Sequence, residues 1–163
     1  MGGAGVGGGG VGGGGTGGSA PMCDFTSPNL CAGATAMNGI AGDDGGTSTA
    51  NGHTSQWFQI HVTEESSSIF EDDMSYTVTL TSPPGMIYNV LVHEGPQDGN
   101  PNCGASPLPG TPPGGPLQTV HASWDDDQGI GGEDDSLWLS IEVVWVSGDD
   151  CNANWTLSVA GGT

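Results

Sequence analysis

The stretch SLWLSIEVVWV, residues 136–146, decides the fold class of this 163-residue chain. From position 137 to position 143, every second residue is aliphatic: Leu137, Leu139, Ile141 and Val143. Successive side chains of a β-strand point to opposite faces, so residues at every second position share a face and this pattern predicts a strand with one buried face. No part of the chain sustains the periodicity of an amphipathic helix, because Gly and Pro interrupt each candidate.

Five further stretches have the same character and are bounded by turn-forming residues. They are QWFQIHV (56–62), SYTVTL (75–80), IYNVLVHE (87–94), LQTVHASW (117–124) and NWTLSVA (154–160). An edge strand is expected near ATAMNGI (34–40). Short strands with polar connections predict an all-β fold, an antiparallel β-sandwich or jelly roll of about seven to eight strands. The Pro-rich segment 95–116 is expected to cross one end of this fold, held by Cys103.

The chain divides into a low-complexity arm, residues 1–20, and a disulfide-bonded β-sandwich domain, residues 21–163. The cysteines are Cys23, Cys31, Cys103 and Cys151, and four cysteines permit three pairings. Of these we expect Cys23–Cys31 and Cys103–Cys151. An even number of cysteines with no zinc-finger spacing indicates disulfides and an oxidising compartment, extracellular or at a cell surface.

The charge balance excludes several classes of function. The chain has 19 Asp and Glu residues and no Lys or Arg, so its net charge at pH 7 is −19. Binding of nucleic-acid phosphates and docking on an anionic membrane both require basic side chains. No apolar run approaches the length of about 18 residues that a membrane-spanning helix needs. We therefore expect no nucleic-acid partner and no membrane insertion.

Three stretches carry a resemblance to a known family. They are SQWFQIHV, YNVLVHE and SIEVVWVSGDDCNANWTLSV, in this order along the chain. Residues 34–160 thereby resemble the bacterial pre-peptidase C-terminal (PPC) domain, a secreted β-sandwich module. The resemblance implies a non-catalytic role in surface display, carbohydrate contact or calcium binding.

The acidic clusters are the first candidate for chemistry. WDDDQGIGGEDDS (124–136) holds two groups of carboxylates with Gly-containing turns between them. Ca²⁺ takes six to eight oxygen ligands, and loops of this composition supply them. We predict a calcium site on these residues, with a solvated acidic loop as the alternative: Asp125, Asp126, Asp127, Glu133, Asp134 and Asp135.

Tryptophan and histidine are the remaining candidates. Trp138 and Trp145 are expected opposite the Leu/Ile face of their strand, where an exposed indole can stack on a glycan; core packing is the alternative. His61, His93 and His121 lie on predicted strands but lack metal-binding spacing. No nucleophile motif is present, so we expect no enzyme.

The Gly-rich arm is the candidate assembly element. The residues expected to make the assembly contacts are Gly2, Gly3, Val6, Gly9, Val11, Gly14 and Thr16. Of these, Val6, Val11 and Thr16 recur at a spacing of five residues. This spacing does not suit a donor strand, whereas a polyglycine helix would need neighbouring chains for its backbone hydrogen bonds. We therefore expect an extracellular structural protein that assembles with itself into a filament or surface layer. The alternative is a tethered adhesion module that binds Ca²⁺ or carbohydrate.

Overall fold

The computed structural model describes residues 23–26, 30–64, 73–97, 99–125 and 134–162. These residues form ten strands and one 3₁₀ turn at Cys31–Gly33, so the expected all-β fold is confirmed. The strands are β1 (Thr35–Ala36), β2 (Ile40–Ala41), β3 (Thr47–Gly52), β4 (Gln56–Thr63), β5 (Met74–Thr81), β6 (Ile87–Glu94), β7 (Leu108–Pro109), β8 (Leu117–Trp124), β9 (Leu137–Ser147) and β10 (Trp155–Gly161).

The strands form two sheets that pack face to face as a β-sandwich. Sheet A has the order β1-β4-β9-β6-β7, and β2 pairs with β4 as well. Sheet B has the order β3-β10-β5-β8. The long strands pair antiparallel, whereas the short β1 and β2 both run parallel to β4.

The alternation read from the sequence places the core. The aliphatic residues of β9 from Leu137 to Val143 are buried, and those from Leu137 to Ile141 lie opposite Val62, Ile60 and Phe58 of β4. Trp155 of β10 is fully buried and joins the two sheets, since its ring lies 5.7 Å from that of Phe58. Gly52 is opposite Trp155 in the ladder, and a Cβ there would lie 2.5 Å from the indole. The close approach of the indole therefore requires glycine at position 52.

Two parts of the fold differ from the predicted strands. β3, with the sequence TSTANG, was not predicted because it has no apolar alternation; its six pairs with β10 define it instead. The edge strand expected over 34–40 is two short strands, β1 and β2. The Pro-rich segment contributes β7, which pairs with β6.

The expected disulfide pairing is wrong. Cys23 is bonded to Cys151, and Cys31 is bonded to Cys103. The expected pairing assumed a short local loop, whereas each observed bond joins segments far apart in sequence, with separations of 128 and 72 residues. Two disulfides indicate an oxidising, non-cytoplasmic environment.

Residues 99–107, between β6 and β7, form a segment that we call the strap, and the Cys31–Cys103 bond holds it over the outer face of sheet A. Cys31 precedes β1 at one edge of this sheet, and Cys103 follows β6 on its other side. Beneath the strap, Ser140 is fully buried although it points away from the core. His93 is buried beside Ser140, and its Nδ1 atom forms a hydrogen bond of 2.7 Å with Ala105 O. The strap is therefore packed onto the sheet and does not merely cross it.

Candidate ligand groove

A groove opens between the two sheets at the edge formed by β7 and β8. It encloses about 510 Å³. Its lining comes from the end of β6 and the residues after it, from β7, from the second half of β8 and from the start of β9: Glu94, Gly95, Gln97, Leu108, His121, Ala122, Ser123, Trp124 and Leu137. Because Trp124 and Leu137 flank the acidic segment 125–136, that segment begins and ends at the rim of the groove.

Glu94 is the carboxylate of the groove and is fixed by a buried tyrosine. The alternation of β6 turns Glu94 inward, in line with Val90 and Val92. The Tyr76 hydroxyl donates to Glu94 Oε1 at 2.6 Å across the two sheets. Burial, the hydrogen bond to Glu94 and the charge of Glu94 together raise the pKa of Tyr76 well above its usual range. The bond orients the Glu94 carboxylate while its other oxygen has no hydrogen-bond partner among the described residues.

Trp124 provides the aromatic surface of the groove. Its side chain is half-buried, and the indole Nε1 donates to Asp135 O at 3.1 Å. Its ring also lies 6.1 Å from that of Tyr76. These contacts fix the plane of the indole, and a ring held in this way loses little conformational freedom when a ligand packs on it.

The rest of the lining is apolar or uncharged. Leu108 is 37% exposed at the rim, and Gln97 and Ser123 are exposed. The Nδ1 atom of His121 forms a hydrogen bond of 3.1 Å with Thr77 Oγ1, and the ring is otherwise at the surface. The groove therefore combines apolar surface with hydrogen-bonding groups and a negative charge.

The base of the acidic segment is held by hydrogen bonds. Glu64 accepts from Asp135 N at 3.3 Å, and its own backbone N donates to Ser136 Oγ at 3.0 Å. Asp134 Oδ1 accepts from Ser136 N at 2.9 Å. Hydrogen bonds from Ser136 lower the pKa of Asp134, and the nearby His61 adds to this effect.

The predicted calcium site is described only in part. Asp125 and Asp134 are exposed and Asp135 is buried, while Asp126, Asp127 and Glu133 lie outside the described residues. Within the described ranges, no three His, Cys, Asp or Glu side chains form a group that would hold a metal ion. Calcium binding by this segment stays a prediction.

The two tryptophans predicted to stack on a ligand have different surroundings. Trp138 lies on the outer face of sheet A, as expected, and stacks on His61 at 4.6 Å. The prediction that Trp145 lies on this same outer face is wrong. Trp145 is opposite Tyr88 on the inner face, and its ring stacks on Phe25 at 5.2 Å. The core contact arises because Trp145 continues the inward row of β9 beyond Val143.

Glu94 and Trp124 are groove residues that were not among the site residues expected from the sequence. A signal for Glu94 is present, since it is a carboxylate at the inward position of a strand whose other inward residues are apolar. The arm residues proposed for assembly, Gly2 to Thr16, lie outside the described residues, and their role stays a prediction.

Comparison with known protein families and with curated proteins finds no match to this chain. In the part of the chain that the structure describes, no helix qualifies as a membrane span. The assignment of a function therefore depends on the groove and on the surfaces of the sandwich.

Proposed function

We propose that this chain is a non-enzymatic, extracellular β-sandwich module that binds an uncharged carbohydrate in the groove between β7 and β8. The observation that carries the proposal is the pairing of an indole, Trp124, with an oriented carboxylate, Glu94, in one groove. A sugar ring has an apolar C–H face that packs on an indole, and hydroxyl groups that donate to a carboxylate or amide.

The charge of the groove and of the chain favours an uncharged glycan over an acidic one. The groove lining contains a carboxylate and no Lys or Arg, and the whole chain has neither residue. A sulfated or uronic-acid glycan would bring further negative charge towards Glu94 without a cation to pair with it. Discrimination against acidic glycans therefore follows from repulsion as well as from contacts.

Binding rather than hydrolysis is proposed because of the number of carboxylates in the groove. Most glycosidases use a pair of Asp or Glu residues at the scissile bond. Among the described lining residues, Glu94 is the sole carboxylate, and one of its oxygens is occupied by the Tyr76 hydroxyl. A single carboxylate held in this way is suited to orienting a hydroxyl group of a bound ligand.

The test is isothermal titration calorimetry of the full chain with panels of neutral and uronic-acid oligosaccharides, with EDTA and again with Ca²⁺. We expect heat with a neutral glycan and none with the acidic panel. Trp124→Ala should weaken binding by about 30-fold, the effect of losing an interface hot spot worth about 2 kcal/mol. Gln97→Ala, at an exposed rim position, should weaken it without risk to the fold.

Trp138→Ala is the matched control, since it removes an indole on the outer face of sheet A that is not among the described residues lining the groove. Equal loss in Trp124→Ala and Trp138→Ala, or no heat with any neutral glycan, would contradict the proposal. Binding that appears only with Ca²⁺ would move the site to the acidic segment.

A further inference from the structure

The four strands of sheet B, all within the described residues, place no carboxylate on its outer face, although the chain has 19 acidic residues. The nearest described carboxylates, Asp73 and Asp125, lie just beyond the ends of β5 and β8. Outward residues form three rows that cross all four strands, and Ser75 and Ser123 pair beyond them on β5 and β8. The rows are Asn51–Thr156–Thr81–Leu117, Thr49–Ser158–Thr79–Thr119 and Thr47–Ala160–Thr77–His121. We call this surface the hydroxyl face. It contains threonine or serine at most of its positions.

We propose that the hydroxyl face is a contact surface between two copies of this chain. A hydroxyl group donates one hydrogen bond and accepts others, so an array of hydroxyls is complementary to itself. Self-complementarity is what a two-fold contact between identical surfaces requires. Leu117, which is 53% exposed in the first row, and the threonine methyl groups add apolar surface to such a contact.

The distribution of charge favours a second copy as the occupant. Two molecules of net charge −19 repel one another, and the repulsion is smallest where neither presents a carboxylate. The outer face of sheet A differs from the hydroxyl face, since it carries Glu142 and is partly covered by the strap held by Cys31–Cys103. The hydroxyl face is therefore the sheet surface on which two copies meet at the least electrostatic cost.

The size of the face sets the strength of the contact. Four strands at about 4.8 Å spacing and six residues at about 3.3 Å per residue cover roughly 400 Å². A standard stable interface buries about 800 Å² per partner. A pair of molecules is thus expected to associate weakly, and a dense array of copies would strengthen the contact through multivalency.

Sedimentation velocity of the full chain tests the proposal across a range of salt. Between about 10 mM and about 1 M NaCl the Debye length falls from about 30 Å to about 3 Å, so screening should increase association. The contact is expected to have a dissociation constant near 1 mM, so the measurement uses about 1 mM protein. The fraction of dimer should be high at high salt and lower at low salt.

Two double variants locate the contact. Thr49→Asp with Thr156→Asp adds two carboxylates to exposed positions of the hydroxyl face. Ser106→Asp with Ser147→Asp adds two carboxylates to exposed positions elsewhere, so both variants have the same net charge. Circular dichroism establishes that each variant is folded. Like charges brought together at an interface cost several kcal/mol, so we expect at least about tenfold weaker association in the first variant alone.

Three outcomes would overturn the proposal. One is a wild-type chain that stays monomeric at every salt concentration. Another is equal association of the two variants, which would assign the contact to another surface such as residues 1–20. The third is a wild-type chain that stays monomeric but co-sediments with crystalline cellulose, while the Thr49→Asp with Thr156→Asp variant does not. This result would show that the hydroxyl face binds a neutral polymer.

Discussion

Alkaline unfolding of this protein is expected to depend on its two tyrosines. The chain contains no Lys or Arg, and its described cysteines are all in disulfides, so Tyr76 and Tyr88 are the side chains that titrate above about pH 9. Both are fully buried, and burial raises the pKa of each above its ordinary value. Tyr76 has a second cause in its hydrogen bond to Glu94.

The sign and size of the effect follow from linkage. A raised pKa in the folded state means that the stabilisation is complete below the unfolded pKa of about 10 and is lost as pH rises above it. The loss from Tyr76 is about 1.4 kcal/mol per pH unit, hence about 2.7 kcal/mol by about pH 12. Tyr88 adds to this loss. This loss is a large part of the stability of about 5–15 kcal/mol that small domains have, so ionisation of the tyrosines should be coupled to unfolding.

The assay follows tyrosinate absorbance and far-ultraviolet circular dichroism during the same titration. We expect no tyrosinate signal near pH 10 and a joint, steep change of both signals at higher pH. Tyr76→Phe should reduce the dependence of the unfolding free energy on pH, measured in urea at each pH. A gradual tyrosinate signal centred near pH 10 in a chain that remains folded would refute this account of the pair.

Three further predictions concern stability. Removing the Cys31–Cys103 bond with Cys31→Ser and Cys103→Ser should lower the free energy of unfolding in urea by up to about 4 kcal/mol, because the bond closes a loop over a separation of 72 residues. An unchanged urea midpoint would contradict this prediction. Trp155→Phe removes the donor to Thr54 O at 2.9 Å and should cost about 1–3 kcal/mol in calorimetry, and no loss would show that this bond is not needed. The lowered pKa of Asp134 stabilises the fold above the ordinary Asp pKa of about 3.9, and this contribution is lost as pH falls through the folded value. Ser136→Ala removes the hydroxyl contribution and should therefore raise the pKa of Asp134 in an NMR titration, whereas an unchanged pKa would rule out the Ser136 hydroxyl as a cause.

The parts of the fold that obey local alternation could be predicted from the sequence. The inward rows of β4, β9 and β10 are examples, since each depends on a period of two that the sequence displays. β3 could not be predicted in this way, because TSTANG has no apolar row and its conformation depends on pairing with β10. The disulfides failed for a related reason, since Cys23 and Cys151 meet through the arrangement of the whole sandwich.

The candidate site depended even more on tertiary structure. Glu94 and Trp124 are far apart in sequence and on different sheets, and only the packing of β6 against β8 brings them to one groove. Trp145 shows the converse, since its place in the inward row was available from the sequence. Its stacking on Phe25 was not available, because it depends on where the N-terminal segment is bonded.

The Cys23–Cys151 bond also determines how this protein carries mechanical load. A pulling force applied to the two chain ends enters at Cys23, crosses the disulfide to Cys151 and continues into β10. Residues 24–150 are outside this path, so tension cannot extend them while the bond is intact. β10 lies between β3 and β5 in the middle of sheet B, where its backbone pairs on both sides resist sliding. The domain is thus built to transmit tension through a short covalent route and to keep both the groove and the strap unloaded.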